Sequence, residues 1–516
     1  MLKTSSIKRR YRVSVLVAGA AAFALIVATN PATQAASPRT GGTLRVGVTG
    51  GGAKDTLDIQ IPTSVPDIAR SFALGETLAN YDTSHRIQMA LAQSILPNKN
   101  ATVWTISLRK DLKFSDGRPL TSADVIATFR RITNPADKKN GFEGLKGIDL
   151  TKTLAIDSRT IKVVLNSPDS TFVDSLAQYS NSIVPADFDP KNPVGAGPFK
   201  FESFTPGQQS VFVKNPNYWR AGQPYIDSLV LIDFPDDTAR VNALLSGQVD
   251  AIDGLPFSQI PIVSANHNLK LLESKTGGWI PFTMRVDKAP FNDVRVRQAL
   301  RLVVDRQQMI KQVLGGHGTI GNDLYAPLDV CYNSAIPQRK RDIAQAKALL
   351  KAAGKSKLTV ELVTSPVAAG VVEAAQVYVQ QAKVAGITVK LKRVDTGTFY
   401  GDNYLKWGFA QDFWYTRDFL PQTAAGSLSN SPYNETHWAD ATFKSLVAKA
   451  LKTPKMSDRC ALIKQAQKIE FISGGLIIWG FPNQVDAYAA KVQGLVPDKS
   501  GIPLTSFGFR QVWLKS

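Results

Sequence analysis

The chain has 516 residues, 44% hydrophobic and 20% charged, with 37 Gly, 29 Pro and a formal net charge of +19 at pH 7. That balance excludes collagen, coiled coil and extensive disorder, and the length allows roughly two to four domains. Two cysteines cannot make a disulfide framework, and four scattered histidines do not suggest a zinc or iron cluster.

The N-terminus carries a basic stretch, Lys8 to Arg12, then uncharged Val13–Ala28, then small residues up to Ala36. This order reads as a secretory signal peptide cut after Ala35 or Ala36. Sixteen apolar residues would span only about 24 Å as a helix, short of a ~30 Å hydrocarbon core. Arg9 and Arg10 leave the twin-arginine route open beside the general one. No cysteine stands near the cut, so no lipid anchor is expected and the mature chain should be free in a periplasm. Removing residues 1–35, with five basic and no acidic residues, leaves the mature chain near +14. The basic residues are dispersed and lack zinc-finger or RNA-binding motifs, so a solvated surface is expected rather than a nucleic-acid partner.

Strand-like and helix-like segments alternate along the mature chain, which argues for an α/β protein. Thr43–Thr49 alternates as a strand and runs into Gly50–Gly52. No Gly-Lys-Ser/Thr follows, so this is not a P-loop, though the glycines leave room for a ligand's backbone. Val103–Leu108 is a second strand, followed by a turn signal at Asp116-Gly117. Thr121 can cap a helix with Asp124 in its first turn and Val125, Phe129 and Ile132 on one face. Asn292-Asp293 can cap another with Val296, Leu300 and Val303 as its buried stripe. Arg295, Arg297 and Arg301 fall on its other faces, as solvated or structurally paired side chains. A third helix runs from Ile343 to Ala353 and stops at Gly354. A strand at Leu358–Val363, a helix to Ala385-Gly386 and a strand at Ile387–Val394 follow. Cys331 and Cys460 lie 129 residues apart, which leaves pairing open. Two buried thiols are the preferred expectation.

Several blocks stand in a telling order: WTISLRKDLKFSDGRPLTSADV over Trp104–Val125, GAGPF over Gly195–Phe199, NPNYW over Asn215–Trp219 and ALLSGQVD over Ala243–Asp250. PFNDVRVRQAL over Pro290–Leu300, Asp305-Arg306 and QAKALLKAAG over Gln345–Gly354 complete the set. Together they resemble the family 5 extracellular solute-binding proteins of ABC transporters, the oligopeptide-, dipeptide- and nickel-binding group, over roughly residues 42–490. Ala196 and Phe199 replace the usual Thr and Tyr of their block, and Arg285 stands where relatives commonly carry Asn.

The resemblance implies an α/β, two-lobed periplasmic-binding-protein fold of type II, in its large three-subdomain form, with a hinge between lobes. Carried onto this chain, the first lobe would use 42–76, 194–285 and 486–516. The inserted subdomain would be 77–193 and the second lobe 286–485. It also implies a monomeric receptor that captures a peptide between the lobes and delivers it to membrane permease subunits, with no cofactor and no metal. A nickel chelate, an oligosaccharide or an opine is the alternative ligand. No Gly-x-Ser-x-Gly, His-Glu-x-x-His or Cys/His signature argues for an enzyme.

The ligand is expected at Trp407–Pro421, WGFAQDFWYTRDFLP, which is dense in aromatics and carries two acids. Clefts favour aromatic walls with a few placed polar groups. In similar peptide-binding relatives, an aspartate shortly after a tryptophan takes the peptide α-ammonium. Asp418, four residues after Trp414, is the matching position, and Asp412 competes for the role. Phe413, Trp414 and Tyr415 are the candidate walls. Arg417 is expected to pair with Asp418 unless it meets a ligand carboxylate.

Overall fold

The alternation in Thr43–Thr49 has a physical outcome: Leu44, Val46 and Val48 are buried, and the strand lies in the middle of the largest sheet. In this computed structural model, which describes residues 37–515 except 366, 395–397, 400, 401 and 432, three sheets organise the chain. Residues 1–36, where the sequence leads one to expect a signal peptide, lie outside the described residues. The largest sheet runs Leu269–Lys275, Gly480–Ala489, Ala251–Ile252, Thr43–Thr49, Ser228–Phe234, Gln209–Lys214 and Phe199–Thr205, with Gly318–Ile320 paired beside Gly480–Ala489. Thr43–Thr49 is parallel to both its neighbours, and the flanking pairs are antiparallel.

A four-stranded antiparallel sheet of Ala92–Pro97, Val103–Leu108, Thr160–Val164 and Leu154–Ala155 has its own core, with Trp104, Ile106, Phe129 and Ile161 buried in it. Ser122–Ile132 packs here by the face expected of it. Its entry is closed by a capping box, in which Asp124 accepts from the backbone N–H and the hydroxyl of Thr121, both at 2.9 Å.

The third sheet orders Ile387–Arg393, Leu358–Thr364, Phe409–Gln411, Phe282–Met284 and Leu476–Ile477. Its first three strands are parallel, and Phe282–Met284 is antiparallel to the strands on both sides. Helices Val294–Leu302 and Val371–Lys383 cover it. Arg297 and Arg301, off the Val296–Leu300–Val303 stripe, are buried rather than solvated. Arg301 donates to the carbonyls of Phe471, Gly474 and Leu476 at 2.7–2.9 Å, and Arg297 to that of Ser473 at 2.6 Å. Helix Met456–Ser473 leaves its last carbonyls unpaired and partly negative, and these two guanidinium groups satisfy them. Arg295 stays exposed and pairs with Asp293.

The expectation of two thiols is overturned. Cys331 and Cys460 form a disulfide, with Cα atoms 4.7 Å apart, that joins the loop after Tyr325 to the long helix.

The chain crosses from the largest sheet to the third between Lys275 and Phe282, and returns between Ile477 and Gly480; between the two, Gly318–Ile320 reaches back only to pair with the first residues of Gly480–Ala489. The strands that begin and end these crossings, Leu269–Lys275 and Gly480–Ala489, pair with each other over seven residues. Two neighbouring connections are what a hinge between two lobes requires, because rotation then bends few residues.

Candidate functional site

Beside these crossings lies a cleft of about 860 Å³. One side carries Tyr81, His85, Tyr179 and Arg510; the other carries Phe413, Tyr415, Arg417 and Asp418. The aromatic segment reaches it because Phe409–Gln411 is a strand of the third sheet, and the chain leaves the sheet's end at Asp412. Asp412 is buried there and used locally: it accepts from the backbone N–H of Phe413 at 2.8 Å and from the Tyr404 hydroxyl at 3.1 Å. It is not on the cleft wall. Burial and the charge of Asp412 push the neighbouring Glu435 carboxyl well above its usual range.

Trp414 stands behind the wall. Its backbone exchanges two hydrogen bonds with Trp279, of 2.8 and 2.9 Å, and the two indoles stack at 5.8 Å. Trp279 belongs to the outgoing crossing, so the site segment is tied to the hinge. Thr416 adds to that tie: its hydroxyl accepts from the Gly277 N–H at 2.9 Å and donates to the Lys499 carbonyl at 3.0 Å. Phe413 and Tyr415 meet edge to face at 5.6 Å, and Tyr415 presents an exposed ring to the cleft. Gly50–Gly52 is not among the lining residues; a Cβ on Gly51 would strike Asp233 at 2.6 Å. Arg285 also lies off the wall, paired with Asp287 at 2.6 Å.

The expected Arg417–Asp418 pair does not form. Arg417 turns back over the Trp414 ring, 5.3 Å from its centroid, and donates to no carboxylate among the described residues. Burial lowers its pKa, opposed by Tyr179, Tyr433 and Tyr415, yet a guanidinium remains charged at neutral pH.

Asp418 is the N-cap residue of helix Phe419–Gly426, but its side chain does not cap. Asp329 takes that task, accepting from the Phe419 N–H at 2.7 Å and, with its other oxygen, from the Cys331 N–H at 2.6 Å. The Asp418 carboxyl is thereby released toward the cleft, where it receives no hydrogen bond from the described residues. Burial first, then the nearby charges of Asp329 and Asp174, push it up to about 8, against a smaller opposing effect of Arg459. Asp174 is itself raised to about 6 by burial and accepts from the Tyr81 hydroxyl at 2.9 Å. The result is a carboxyl surrounded by negative charge with no cation among the described residues paired to it.

The residues of the facing wall escaped sequence reading. Glu76, for example, is buried at the cleft and accepts from Tyr218 at 2.8 Å and Trp219 at 3.0 Å. The NPNYW block contained both donors, but nothing local points from it to residue 76. Tyr81, His85, Tyr179 and Arg510 carry no motif and meet only through the fold. Among the described residues, no group of three or more His, Cys, Asp or Glu is placed to hold a metal ion.

Two sheet-based lobes, a double crossing and a cleft lined from both sides define a solute-binding protein. The model of the bacterial extracellular solute-binding proteins, family 5, matches residues 86–435, and the chain belongs to that family. These are the binding proteins that serve ABC importers. Among its relatives is the glutathione-binding protein GsiB of Escherichia coli K12, 25% identical over 474 residues, covering 87% of this chain and 90% of that one. Among solved structures, AgaA of A. tumefaciens R10 in complex with agropinic acid has a TM-score of 0.77 at 26% identity, covering 92% of this chain and 99% of that one. DppA of Helicobacter pylori in complex with the peptide STSA has a TM-score of 0.76 at 23% identity, covering 93% and 99%.

Proposed function

We propose that this protein is the receptor of an ABC importer that captures short peptides in the cleft, with Asp418 taking the α-ammonium and Arg417 the carboxylate. The observation that carries this reading is the Asp418 carboxyl, freed from capping by Asp329 and held in a cation-poor part of the cleft. An ammonium seated there makes a charge-assisted hydrogen bond and relieves the repulsion among the three aspartates. Arg417, without an acidic partner among the described residues, offers the opposite charge on the same wall. Phe413 and Tyr415 supply aromatic surface, and Trp414 braces the segment from behind.

In this reading the first lobe uses 42–76, 194–285 and 486–516, the insert 77–193, and the second lobe 286–485. Contacts from both walls favour the closed state, which the permease recognises. The protein acts as a monomer and does no chemistry. It works in the periplasm after cleavage near Ala35 or Ala36, which the intact mass of the exported protein tests.

A second reading keeps the receptor and changes the cargo to an opine-like acid. AgaA, at 26% identity, was solved with agropinic acid, and Arg417, with no acidic partner among the described residues, suits an acidic ligand. Native mass spectrometry of the purified mature protein, followed by denaturation and identification of what is released, separates the two. A ladder of peptide masses supports the first reading. A single non-peptide solute refutes it and leaves the receptor role standing.

A further inference from the structure

Asp418 does not face the cleft alone. His85 ends the turn between strands Ala79–Tyr81 and Ile87–Met89, held in the left-handed region with φ of 62°. Its ring lies flat on Tyr81, with centroids 4.4 Å apart and planes within 3°. The residue is 8% exposed, yet neither ring nitrogen makes a hydrogen bond to any described residue. Buried polar side chains almost always find a partner, and those that do not call for an explanation. For Nε2 the explanation lies ahead of the ring: it is 3.6 Å from Asp418 Oδ1, and both residues line the cleft. Burial, opposed by Asp82 and reinforced by Lys499, pushes His85 down to about 4, so the ring is neutral and keeps one nitrogen lone pair.

A gap of 3.6 Å is too long for a hydrogen bond between the two groups, but it suits a third atom placed between them. A nitrogen about 2.8 Å from each acceptor would see them roughly 80° apart, within reach of two N–H bonds of one tetrahedral ammonium. Resting on the reading of Asp418 as the ammonium site, we infer that His85 is a specificity-determining residue, the second acceptor that makes the site select a primary ammonium. One N–H goes to Asp418 and another to His85 Nε2. An ammonium left with a single N–H satisfies Asp418 and leaves His85 buried and unpaired, although its charge is unchanged.

The test is a competition on the full mature protein. A lysine-free library of di- to pentapeptides is mixed in equal amount with the same library dimethylated at its amino termini, and captured species are weighed by native mass spectrometry. Wild-type protein should favour the free amine about tenfold, as expected for a hydrogen bond to a charged group. His85→Phe, which keeps the stack on Tyr81, should bring that preference to within about twofold of unity, and His85→Gln should restore much of it. Thermal melts establish that both variants fold. If Asp418→Asn abolishes capture while His85→Phe keeps the full preference, the discrimination is steric and the role of His85 is overturned. If wild-type protein captures neither library, the ammonium reading falls and this inference falls with it.

Discussion

Peptide binding should release protons, and the amount follows from Asp418. Its carboxyl is raised to about 8, so it is mostly protonated at pH 7 in the free protein. A peptide α-ammonium titrates near 7.7–8.0 and is mostly protonated as well. The bound pair holds one proton, on the nitrogen. Free partners at pH 7 hold about 1.8 between them, so binding releases about 0.8 proton; at pH 8 it releases about none. Encounters that already pair carboxylate with ammonium make up about a quarter of the total at pH 8 and about a hundredth at pH 6. Affinity should therefore fall about 25-fold between those values, because acid protonates the carboxyl, and should also fall above pH 8 as the ammonium is lost.

Titration calorimetry at pH 7 in buffers of different ionisation enthalpy gives the proton count from the slope of the binding enthalpy. Asp418→Asn should bring that count close to zero and weaken binding by at least about 30-fold, through loss of a hydrogen-bonded charge partner. A wild-type enthalpy independent of buffer, with an affinity flat from pH 6 to 8, would refute a protonated Asp418 in the free protein, and if Asp418→Asn also kept full affinity it would refute Asp418 as the ammonium site.

The remaining predictions concern the opposite charge, the covalent tie and a buried acid. Arg417→Met should weaken free-acid peptides about tenfold or more and C-amidated ones much less, measured by titration with the two forms, since only the former lose a charge partner. Replacing Cys331 and Cys460 by Ala frees a 129-residue span, and in the chain-entropy model should cost up to about 5 kcal/mol, read from denaturant melts beside wild-type protein with and without reductant. Glu470, raised to about 8 mainly by burial and left with one unpartnered oxygen, retains its proton when folded and loses it near 4.3 when unfolded. Its contribution is therefore fully favourable below the unfolded value and is lost, at about 1.4 kcal/mol per pH unit, as pH rises from about 4.3 to 8. Glu470→Gln should shallow the decline of melting temperature across that window, and an unchanged slope would count against a protonated Glu470.

Much of the fold was readable because local signals agreed with tertiary need. Thr121 and Asp124 announce a helix start, Val296, Leu300 and Val303 announce a buried face, and both were found where alternation and capping put them. The aromatic segment was readable for a similar reason: so many rings with two acids are hard to place wholly in a core. What one dimension could not show is which way each member turns. Asp418 and Asp412 are equally acidic in the sequence. One is consumed by Phe413 and Tyr404, and the other is released because Asp329, 89 residues upstream, caps the helix in its place. Arg417 next to Asp418 invites pairing, yet the Trp414 face, itself fixed by Trp279 at the crossing, draws the guanidinium away. His85 was set aside as one of four scattered histidines, since its meaning depends on a ring stack at Tyr81 and on the distant carboxyl of Asp418. The site is written in segments hundreds of residues apart, and those around Tyr81, His85, Tyr179 and Arg510 carry no local mark until the fold brings them to the aromatic segment.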